Sequence, residues 1–456
     1  MSTDASEKSL FRSKIGLIAA TVGSAIGLGT VWRFPAETAS NGGAAFLIVY
    51  IGCVFLLGIP VMLSEFCLGR ASRSDAVGTF RKLAPGKAWW LVGALAVLVS
   101  FLINCFYMVV GGWTLEYLIN SVNGDLFDSS SSLSGQGFFQ EKMSEYIMTD
   151  SAPLLNTLFV IVLNAVILIC GVQKGIERMA NIMMPLLFVL LAIFCGFSLS
   201  LDGAAEGVKY FLSPDFSKIT PEVCINALGQ ALFSLSLGMG ILITYAAYYP
   251  SQTRLTRTSF IVTSTTLLVA LLMGFIIFPA VASFGLTGHS TSGTTLVFVT
   301  MPEIFVQMPC PQIWAVAFFL LLLMAAITST VSIAEVSVAF LQKQSRLKRR
   351  NAVIAVTVPL MLISTVCALS FSDLSWLTIL GHNVFDFLDL VTNNYMLPLV
   401  ALGGVIYAGW FAPKGLLNEQ LTNNGRLRGT LNPTIIFIIR WFAPVAILII
   451  LLTNIF

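Results

Sequence analysis

Ionisable side chains are scarce in this sequence. Only 10% of the 456 residues are charged, two are histidines, His289 and His382, and 57% are hydrophobic. The mean hydropathy of +0.88 is higher than the core of a soluble domain can accommodate. The shortage of polar residues therefore excludes a soluble globular protein and places the chain in a lipid bilayer.

The sequence patterns of common enzymes are also missing. There is no HExxH, no GxSxG and no phosphate-binding glycine loop, so the usual metalloprotease, hydrolase and nucleotide chemistries lack their residues. The eight cysteines are scattered, without a CxxC pair or metal-ligand spacing, as is typical of packed apolar residues. We expect no enzyme activity and no nucleic-acid, haem or nucleotide partner.

Eleven apolar runs are long enough to cross a bilayer, whose hydrocarbon core needs about 20 apolar residues per helix. They lie at 15–37, 44–69, 88–122, 154–171, 179–200, 222–249, 258–286, 311–342, 351–371, 378–411 and 434–455. The first run follows basic residues but has no small-residue cleavage site of the signal-peptide type, so we expect it to be retained as a helix.

Lysine and arginine concentrate in alternate connections between these runs. The other connections contain only Lys142, Lys209 and Lys218. The positive-inside rule therefore predicts a cytoplasmic N-terminus, and eleven spans place the C-terminus outside. Of the longer external connections, 123–153, with a run of serines at 129–132, is expected to be a flexible loop. Short surface helices are expected in 201–221 and 287–310.

Small residues interrupt two spans at membrane depth. The first span contains GSAIGLGT at 23–30, followed by Arg33, and the sixth contains SLSLGMG at 234–240. Unwound backbone in hydrocarbon is tolerated only where it faces protein or a watery cavity, so these clusters indicate a binding site or, alternatively, close helix packing. The eighth span adds AAITST at 325–330, whose hydroxyls either bond the preceding helical turn or bind a hard cation.

The positions of the two breaks favour a binding site. The first and sixth spans are each the first of five consecutive spans. Because five is an odd number, the second group of five enters the membrane from the side opposite to the first. This predicts inverted repeats at 14–200 and 222–411 and an extra helix at 434–455, within a single transporter domain of residues 1–456. In such repeats, paired broken helices offer N–H groups to an anionic substrate and carbonyls to a cation at the midplane.

Several motifs appear in a characteristic order. They are GSAIGLGTVWRFP (23–35), NGGAAF (41–46), EFCLGR (65–70), GWTLEY (112–117), KGIERMANIMMP (174–185), GQALFSLSLGMG (229–240), TYAAY (244–248) and ITSTVSIAE (327–335). Nearly the whole chain thus resembles the neurotransmitter:sodium symporters, in particular eleven-helix bacterial amino-acid transporters of the leucine-transporter type. The resemblance implies an all-α integral membrane fold with two inverted five-helix repeats, in the bacterial inner membrane and in contact with lipid. It leaves a homodimer open.

The resemblance implies two sodium sites. The first would use the carbonyls and hydroxyls of Gly23, Ile26, Ala325, Thr328 and Ser329. The second would use the substrate carboxylate with Ala25, Thr30, Ser234 and a seventh-span residue, for which Ser264, Thr265 and Thr266 are available and Thr266 is preferred. The family usually has asparagine at the position of Thr30 and asparagine or an acid in the seventh span, so this second site departs from the pattern.

The resemblance also implies where the substrate would bind. Its carboxylate would meet the N–H groups near Leu28 and Gly29 and the hydroxyl of Tyr107, while carbonyls near Ala25 and Phe233 would hold its amino group. Family members that carry amines have an aspartate where this chain has Gly27, so the substrate should bring its own carboxylate. The pocket for its side chain would be lined by Ile103, Phe233, Ser236, Met239, Ser329 and Ile333. These uncharged residues favour a neutral hydrophobic or aromatic amino acid.

Gates and a chloride site follow from the same resemblance. Arg33 and Asp389, with Asp386 as the alternative acid, would form the outer gate above an aromatic lid of Phe233 and Tyr107. On the inner side, Lys343 and Lys8 stand where the family pairs an acid with a base, which leaves closure to other contacts such as those of Tyr248. Chloride-independent members of the family typically carry an acid in the seventh span, whereas residues 258–286 lack Asp and Glu. The resemblance therefore implies that chloride stimulates transport and is held by Tyr50, Gln230, Ser234 and Thr266.

Taken together, these features predict sodium-coupled symport of an amino acid by alternating access. An amino-acid sensor or an ion channel on the same scaffold is the alternative, and a membrane enzyme is a weaker third hypothesis. Accumulation of substrate against a gradient would separate the symporter from the other two.

Overall fold

The structure is a computed structural model that describes residues 11, 13–127, 137–149, 151–285 and 293–454. Within these ranges, nine uninterrupted helices are long and apolar enough to cross a bilayer. We number them as spans 2 to 5 and 7 to 11, in chain order: Ala44–Ser72, Trp90–Asn123, Ser151–Ile169, Val172–Leu199, Leu255–Ser283, Pro311–Gln344, Arg349–Leu369, Val384–Phe411 and Asn432–Thr453. Helices satisfy their own backbone polar groups, as hydrocarbon requires.

Spans 1 and 6 are broken. Span 1 consists of Lys14–Ala25 and Gly29–Ser40, which meet at an angle of 53°. Span 6 consists of Pro221–Ser234 and Ile241–Ala247, joined by a non-helical segment. With these two, the described helices correspond one for one to the eleven apolar runs. The all-α membrane fold with broken first and sixth helices is therefore confirmed.

The connections predicted to be external differ in part from the expectation. A helix at Phe138–Met148 occupies much of 123–153, where we expected a flexible loop, because Phe139 and Met143 are buried and the hydroxyl of Tyr117 donates to the sulfur of Met143. The serines at 129–132 lie outside the described residues. Helices are present in the other two connections, at Ala204–Leu212 and Gly293–Val306, but the second is largely buried and is not a surface helix.

Two boundaries also shift. The tenth apolar run begins with a short antiparallel hairpin, Thr378–Ile379 paired with His382–Asn383, before its helix starts at Val384. Span 5 starts at Val172 rather than 179. Both changes lie at the ends of spans, which hydropathy alone does not define.

Burial shows which spans surround the centre. In the most apolar part of span 8, 83% of the residues are buried. In the corresponding parts of spans 5 and 11, only 28% and 22% of the residues are buried. The outer spans expose large apolar side chains, such as Phe159, Ile182 and Val445, to the surroundings. Span 8 is therefore an inner helix, and it packs directly against spans 1 and 3.

Candidate functional site

The break in span 1 frees backbone carbonyls at the centre of the protein. Ile26 leaves the helical conformation, with φ −87° and ψ 76°. The hydroxyl of Thr30 donates to the carbonyl of Ala25 at 3.1 Å, and that of Ser236 donates to the carbonyl of Ser24 at 2.9 Å. All these residues are buried, so the break offers oxygen ligands in an enclosed environment.

The break in span 6 depends on left-handed backbone conformations. Gly238 and Gly240 have φ of +77° and +71°, which glycine adopts at low cost, and Ser236 has φ of +54°. The N–H of Gly238 donates to Oε1 of the buried Glu65 at 2.8 Å, and the hydroxyl of Ser100 donates to the carbonyl of Met239. Side chains from spans 2 and 3 thus stabilise the non-helical conformation of this segment.

The first predicted sodium site lies at the contact between spans 1 and 8. A Cβ atom on Gly23 would lie 3.4 Å from Cβ of Thr328, and one on Gly27 would lie 2.6 Å from Oγ of Ser329. The hydroxyl of Thr328 also donates to the carbonyls of Met324 and Ala325, at 3.0 and 3.1 Å. Of the predicted residues, the structure thus places Gly23, Thr328 and Ser329 at this contact, while Ile26 and Ala325 are buried in the same two spans.

The hydroxyls and carbonyls of these residues are oxygen donors, and the sulfur of Met184 lies 3.6 Å from where a Cβ on Gly23 would be. Hard cations prefer oxygen ligands, so the hydroxyls and carbonyls present fit sodium. Among the described residues, no cluster of three or more His, Cys, Asp or Glu side chains could hold another metal ion. The occupancy of the site remains a prediction.

The residues predicted for the second sodium site and for chloride share one region. Thr30, Ser234 and Thr266 are buried, and span 7 packs against the Gly29–Arg33 segment of span 1. The hydroxyls of Tyr50 and Ser234 lie 2.9 Å apart. Thr266 instead donates to the carbonyl of Val262 within its own helix, at 3.0 Å.

Gln230 reaches the same region from span 6. Its Nε2 donates to the carbonyl of Gly29 at 2.9 Å, and its buried Oε1 has no partner in the described part of the chain. Among the hydrogen bonds of the described residues, one joins two of the four predicted chloride ligands, Tyr50 and Ser234. The chloride site therefore stays a prediction.

The predicted substrate pocket combines residues of four spans. All are buried: Ala25, Leu28, Gly29, Ile103, Tyr107, Phe233, Ser234, Ser236, Met239, Ser329 and Ile333. A Cβ atom on Gly29 would lie 2.4 Å from the ring of Phe233, so the ring packs directly on the backbone of the break. The Tyr107 and Phe233 ring centroids are 6.4 Å apart, and the N–H of Gly29 faces the Tyr107 hydroxyl.

The predicted outer gate is not closed by an ion pair. Arg33 and Asp389 line one cavity of about 370 Å³, with Tyr107 and Phe233 also in its wall. Arg33 instead pairs with Glu37, with 3.4 Å between Nε and Oε1, and its guanidinium lies 4.9 Å from the Phe233 ring centroid. The i, i+4 spacing of Arg33 and Glu37 is a sequence signal for this pair that our sequence reasoning missed.

The two acids considered for this gate have different surroundings. Asp389 accepts a hydrogen bond from Asn393 at 2.6 Å. Asp386 instead exchanges two hydrogen bonds with Asn383 at the start of span 10, at 2.7 and 2.8 Å. Because Asp386 is engaged in capping its own helix, Asp389 is the better partner for Arg33.

The side predicted to face the cytoplasm is held together by residues that the sequence analysis did not pair. Arg349 forms a bidentate ion pair with Glu335, at 2.7 and 3.0 Å, and the hydroxyl of Tyr248 donates to the same carboxylate at 2.9 Å. The ring of Phe11 packs against Tyr245 and Tyr248. Of the predicted contacts, only those of Tyr248 take part.

The lysines considered for the inner gate do not take part in this closure. Lys343 is exposed, and Lys8 lies outside the described residues. A lone acid in an apolar span, Glu335, was an available signal for a functional role.

Comparisons with known proteins agree on one family. The family model of the sodium:neurotransmitter symporters matches residues 8–136 and 136–456. The chain is 35% identical over 443 residues to an uncharacterized sodium-dependent transporter of Bacillus subtilis, YhdH, with 97% of each chain covered. It is 33% identical over 471 residues to an uncharacterized sodium-dependent transporter of Haemophilus influenzae, with both chains fully covered. The crystal structure of MhsT in complex with L-phenylalanine matches with a TM-score of 0.88 and 39% identity, over 98% of this chain and 99% of MhsT.

Proposed function

This chain belongs to the sodium:neurotransmitter symporter family, whose members are sodium-dependent transporters and not enzymes, and we propose that it couples sodium entry to uptake of a neutral hydrophobic or aromatic amino acid. The observation that carries this proposal is the set of buried, uncharged residues at the two breaks. Among the predicted lining residues, Tyr107, Ser236 and Ser329 offer hydroxyls, and the breaks offer backbone polar groups. The likeness to MhsT, a protein solved with L-phenylalanine, supports the same substrate class.

The substrate carboxylate would bind at the break in span 1. There the N–H of Gly29 and the hydroxyl of Tyr107 face each other, and the helix that begins at Gly29 points its positive end to this position. An acid at position 27 would offer a counter-charge to an amine without a carboxylate. Gly27 cannot offer it, and a Cβ there would meet Ser329. An amino acid is therefore favoured over a simple amine.

Two sodium ions would bind beside the substrate. One would lie between spans 1 and 8, on Gly23, Ile26, Ala325, Thr328 and Ser329. The other would contact Ala25, Thr30, Ser234, Thr266 and the substrate carboxylate. Because that carboxylate would be a ligand of the second ion, sodium and substrate would each increase the affinity of the other. This reciprocal coupling lets the sodium gradient drive accumulation.

In alternating access, the pocket would be open to one side of the membrane at a time. The inner contacts of Tyr248, Glu335 and Arg349 are formed while Arg33 and Asp389 are apart. In the next state the outer pair would close over Phe233 and the inner contacts would break. The blocks 14–200 and 222–411 would act as the two inverted repeats, with 434–455 as an added helix and with no homodimer required.

The test of this function is uptake by proteoliposomes. Labelled tryptophan, tyrosine, phenylalanine and leucine would be offered with an inward sodium gradient, with potassium replacing sodium, and with gluconate replacing chloride. We expect sodium-driven accumulation of at least one of them and faster uptake with chloride. Binding without accumulation would favour the sensor hypothesis, sodium current without saturable uptake would favour the channel, and equal rates in gluconate would reject the chloride site alone.

Replacing Thr328 by alanine is expected to weaken sodium binding without unfolding the protein. The change removes one oxygen ligand of the first sodium site, and a lost interaction with a charged partner costs about 1.5–3 kcal/mol, or about 10- to 150-fold in affinity. The sodium concentration for half-maximal uptake should rise accordingly. Thr328→Ser keeps the hydroxyl and is the matched control. An unchanged sodium dependence in Thr328→Ala would place the ion elsewhere.

We propose an orientation in the inner membrane with the N-terminus in the cytoplasm and the C-terminus outside, and two native cysteines can test it. Cys170 lies between spans 4 and 5 and Cys310 between spans 7 and 8, and both are exposed. A membrane-impermeant thiol reagent applied to intact cells should label Cys310 and spare Cys170. Variants with serine at either position identify the labelled residue, and labelling of Cys170 alone would reverse the orientation.

A further inference from the structure

Arg440 is an exposed cation on span 11 that the transport site does not use. Its Nε donates to the carbonyl of Gly409 on span 10 at 2.7 Å. No carboxylate lies within 4.0 Å of it in the described ranges of the chain, and its two terminal nitrogens have no partner there. A guanidinium within an apolar helix is costly unless it is paired, so an unpaired one points to a ligand outside the protein.

Two tryptophans lie beside the backbone of Arg440. The indole N–H of Trp410 donates to the carbonyl of Arg440 at 2.9 Å, and the rings of Trp410 and Trp441 meet edge to face, with centroids 4.6 Å apart. They are 51% and 53% exposed. Tryptophan in such exposed positions is typical of the interface between hydrocarbon and headgroups. Arg440 therefore lies at the depth of the lipid phosphates.

The charge around this position is positive. Lys414, Arg426 and Arg428 lie in the connection between spans 10 and 11, where all three are exposed, and Glu419 is the acid among them. The positive-inside rule assigns this end of the protein to the cytoplasm, where membranes carry anionic headgroups. An anionic ligand is favoured over a zwitterionic one, whose ammonium group these cations would repel.

We propose that Arg440, Trp410 and Trp441 form a binding site for the phosphate of an anionic phospholipid headgroup. The two terminal nitrogens of Arg440 are the paired donors with which a guanidinium group binds two phosphate oxygens. Nε is already held by Gly409, which orients the fork before the lipid arrives. The exposed indole faces would contact the glycerol and the upper acyl chain. Binding here would join spans 10 and 11 at their common end.

Quenching of tryptophan fluorescence by brominated lipids tests this site. The full chain would be placed in phosphatidylcholine nanodiscs that contain equal fractions of either brominated phosphatidylglycerol or brominated phosphatidylcholine. The difference between the wild type and a Trp410→Phe/Trp441→Phe variant isolates the signal of these two residues. We expect a preference for phosphatidylglycerol of about five-fold, as one arginine near an anionic surface provides. Arg440→Gln should remove this preference, and Arg440→Lys should keep most of it.

Matched controls make either result decisive. Arg428→Gln removes the same charge from the neighbouring connection and should leave the preference intact. Equal quenching by both lipids in the wild type, or a preference that survives Arg440→Gln, would overturn the proposal. Loss of the preference in Arg428→Gln would assign it to the loop as a whole. Inorganic phosphate should not compete, and full competition would mean that the site binds free phosphate and not lipid.

Discussion

A Gly27→Ala variant is expected to lose most sodium-driven uptake while remaining folded in the membrane. The added Cβ would lie 2.6 Å from Oγ and 2.8 Å from Cβ of Ser329, a proposed ligand of sodium and wall of the pocket. Spans 1 and 8 would have to separate, and overpacking of this kind costs about 1–3 kcal/mol, or about 5- to 150-fold in affinity. Sodium-dependent binding and uptake of the best substrate would measure the loss.

Gly229→Ala is the matched control for this change. Gly229 lies one helical turn before Phe233 in the first half of span 6, but a Cβ at this position would meet no atom within 4 Å. Alanine is also the better helix former, so stability should stay constant or rise slightly. If Gly27→Ala transported at the wild-type rate, the pocket could not lie at this contact between spans 1 and 8.

Sequence was a good guide to this fold where the physics is local. Apolar runs of sufficient length identify spans, and the glycines at 238 and 240 mark a break because they adopt positive φ cheaply. The same reasoning fails at Phe138–Met148, where the helix is stabilised by contacts with Tyr117 of span 3. Such a contact depends on how distant parts of the chain meet, which periodicity does not reveal.

The candidate site shows the same division. The oxygen-rich residues of spans 1 and 8 could be named from their motifs, and the structure places Gly23 against Thr328 and Gly27 against Ser329. The partners of charged residues were harder to name. Arg33 pairs with the nearby Glu37 in this conformation, whereas its proposed partner Asp389 lies across a cavity. The two residues of a gate pair are in contact in only some conformations. The sequence therefore names Arg33 and Asp389 as partners, whereas this structure shows Arg33 in a conformation in which it contacts Glu37.

Arg349→Gln is expected to be strongly destabilising. It removes the cationic partner of Glu335, whose side chain is fully buried, and leaves a carboxylate without compensation. Breaking one side of a buried ion pair typically costs about 3–5 kcal/mol. Thermal unfolding of the purified protein should show a large decrease in stability. Arg350→Gln, at the exposed neighbouring position, carries the same change in charge and should have almost no effect.

The double variant Arg349→Gln/Glu335→Gln separates the ion pair from general damage. If the pair closes the inner side, the two changes together should cost less than the sum of the single ones, because no charge remains buried alone. Independent, additive losses would contradict the pairing.

Tyr248→Phe completes the argument about inner closure, because it removes the hydrogen bond to Glu335 at 2.9 Å and leaves both charges paired. A hydrogen bond to a charged group contributes about 1.5–3 kcal/mol. The stability lost by Tyr248→Phe should therefore be smaller than that lost by Arg349→Gln and larger than that lost by Arg350→Gln. This order would mean that compensation of the buried Glu335 charge, more than the number of hydrogen bonds, stabilises the closed inner side. Opening that side then requires a new partner for Glu335, and water entering from the cytoplasm is the partner that alternating access would provide.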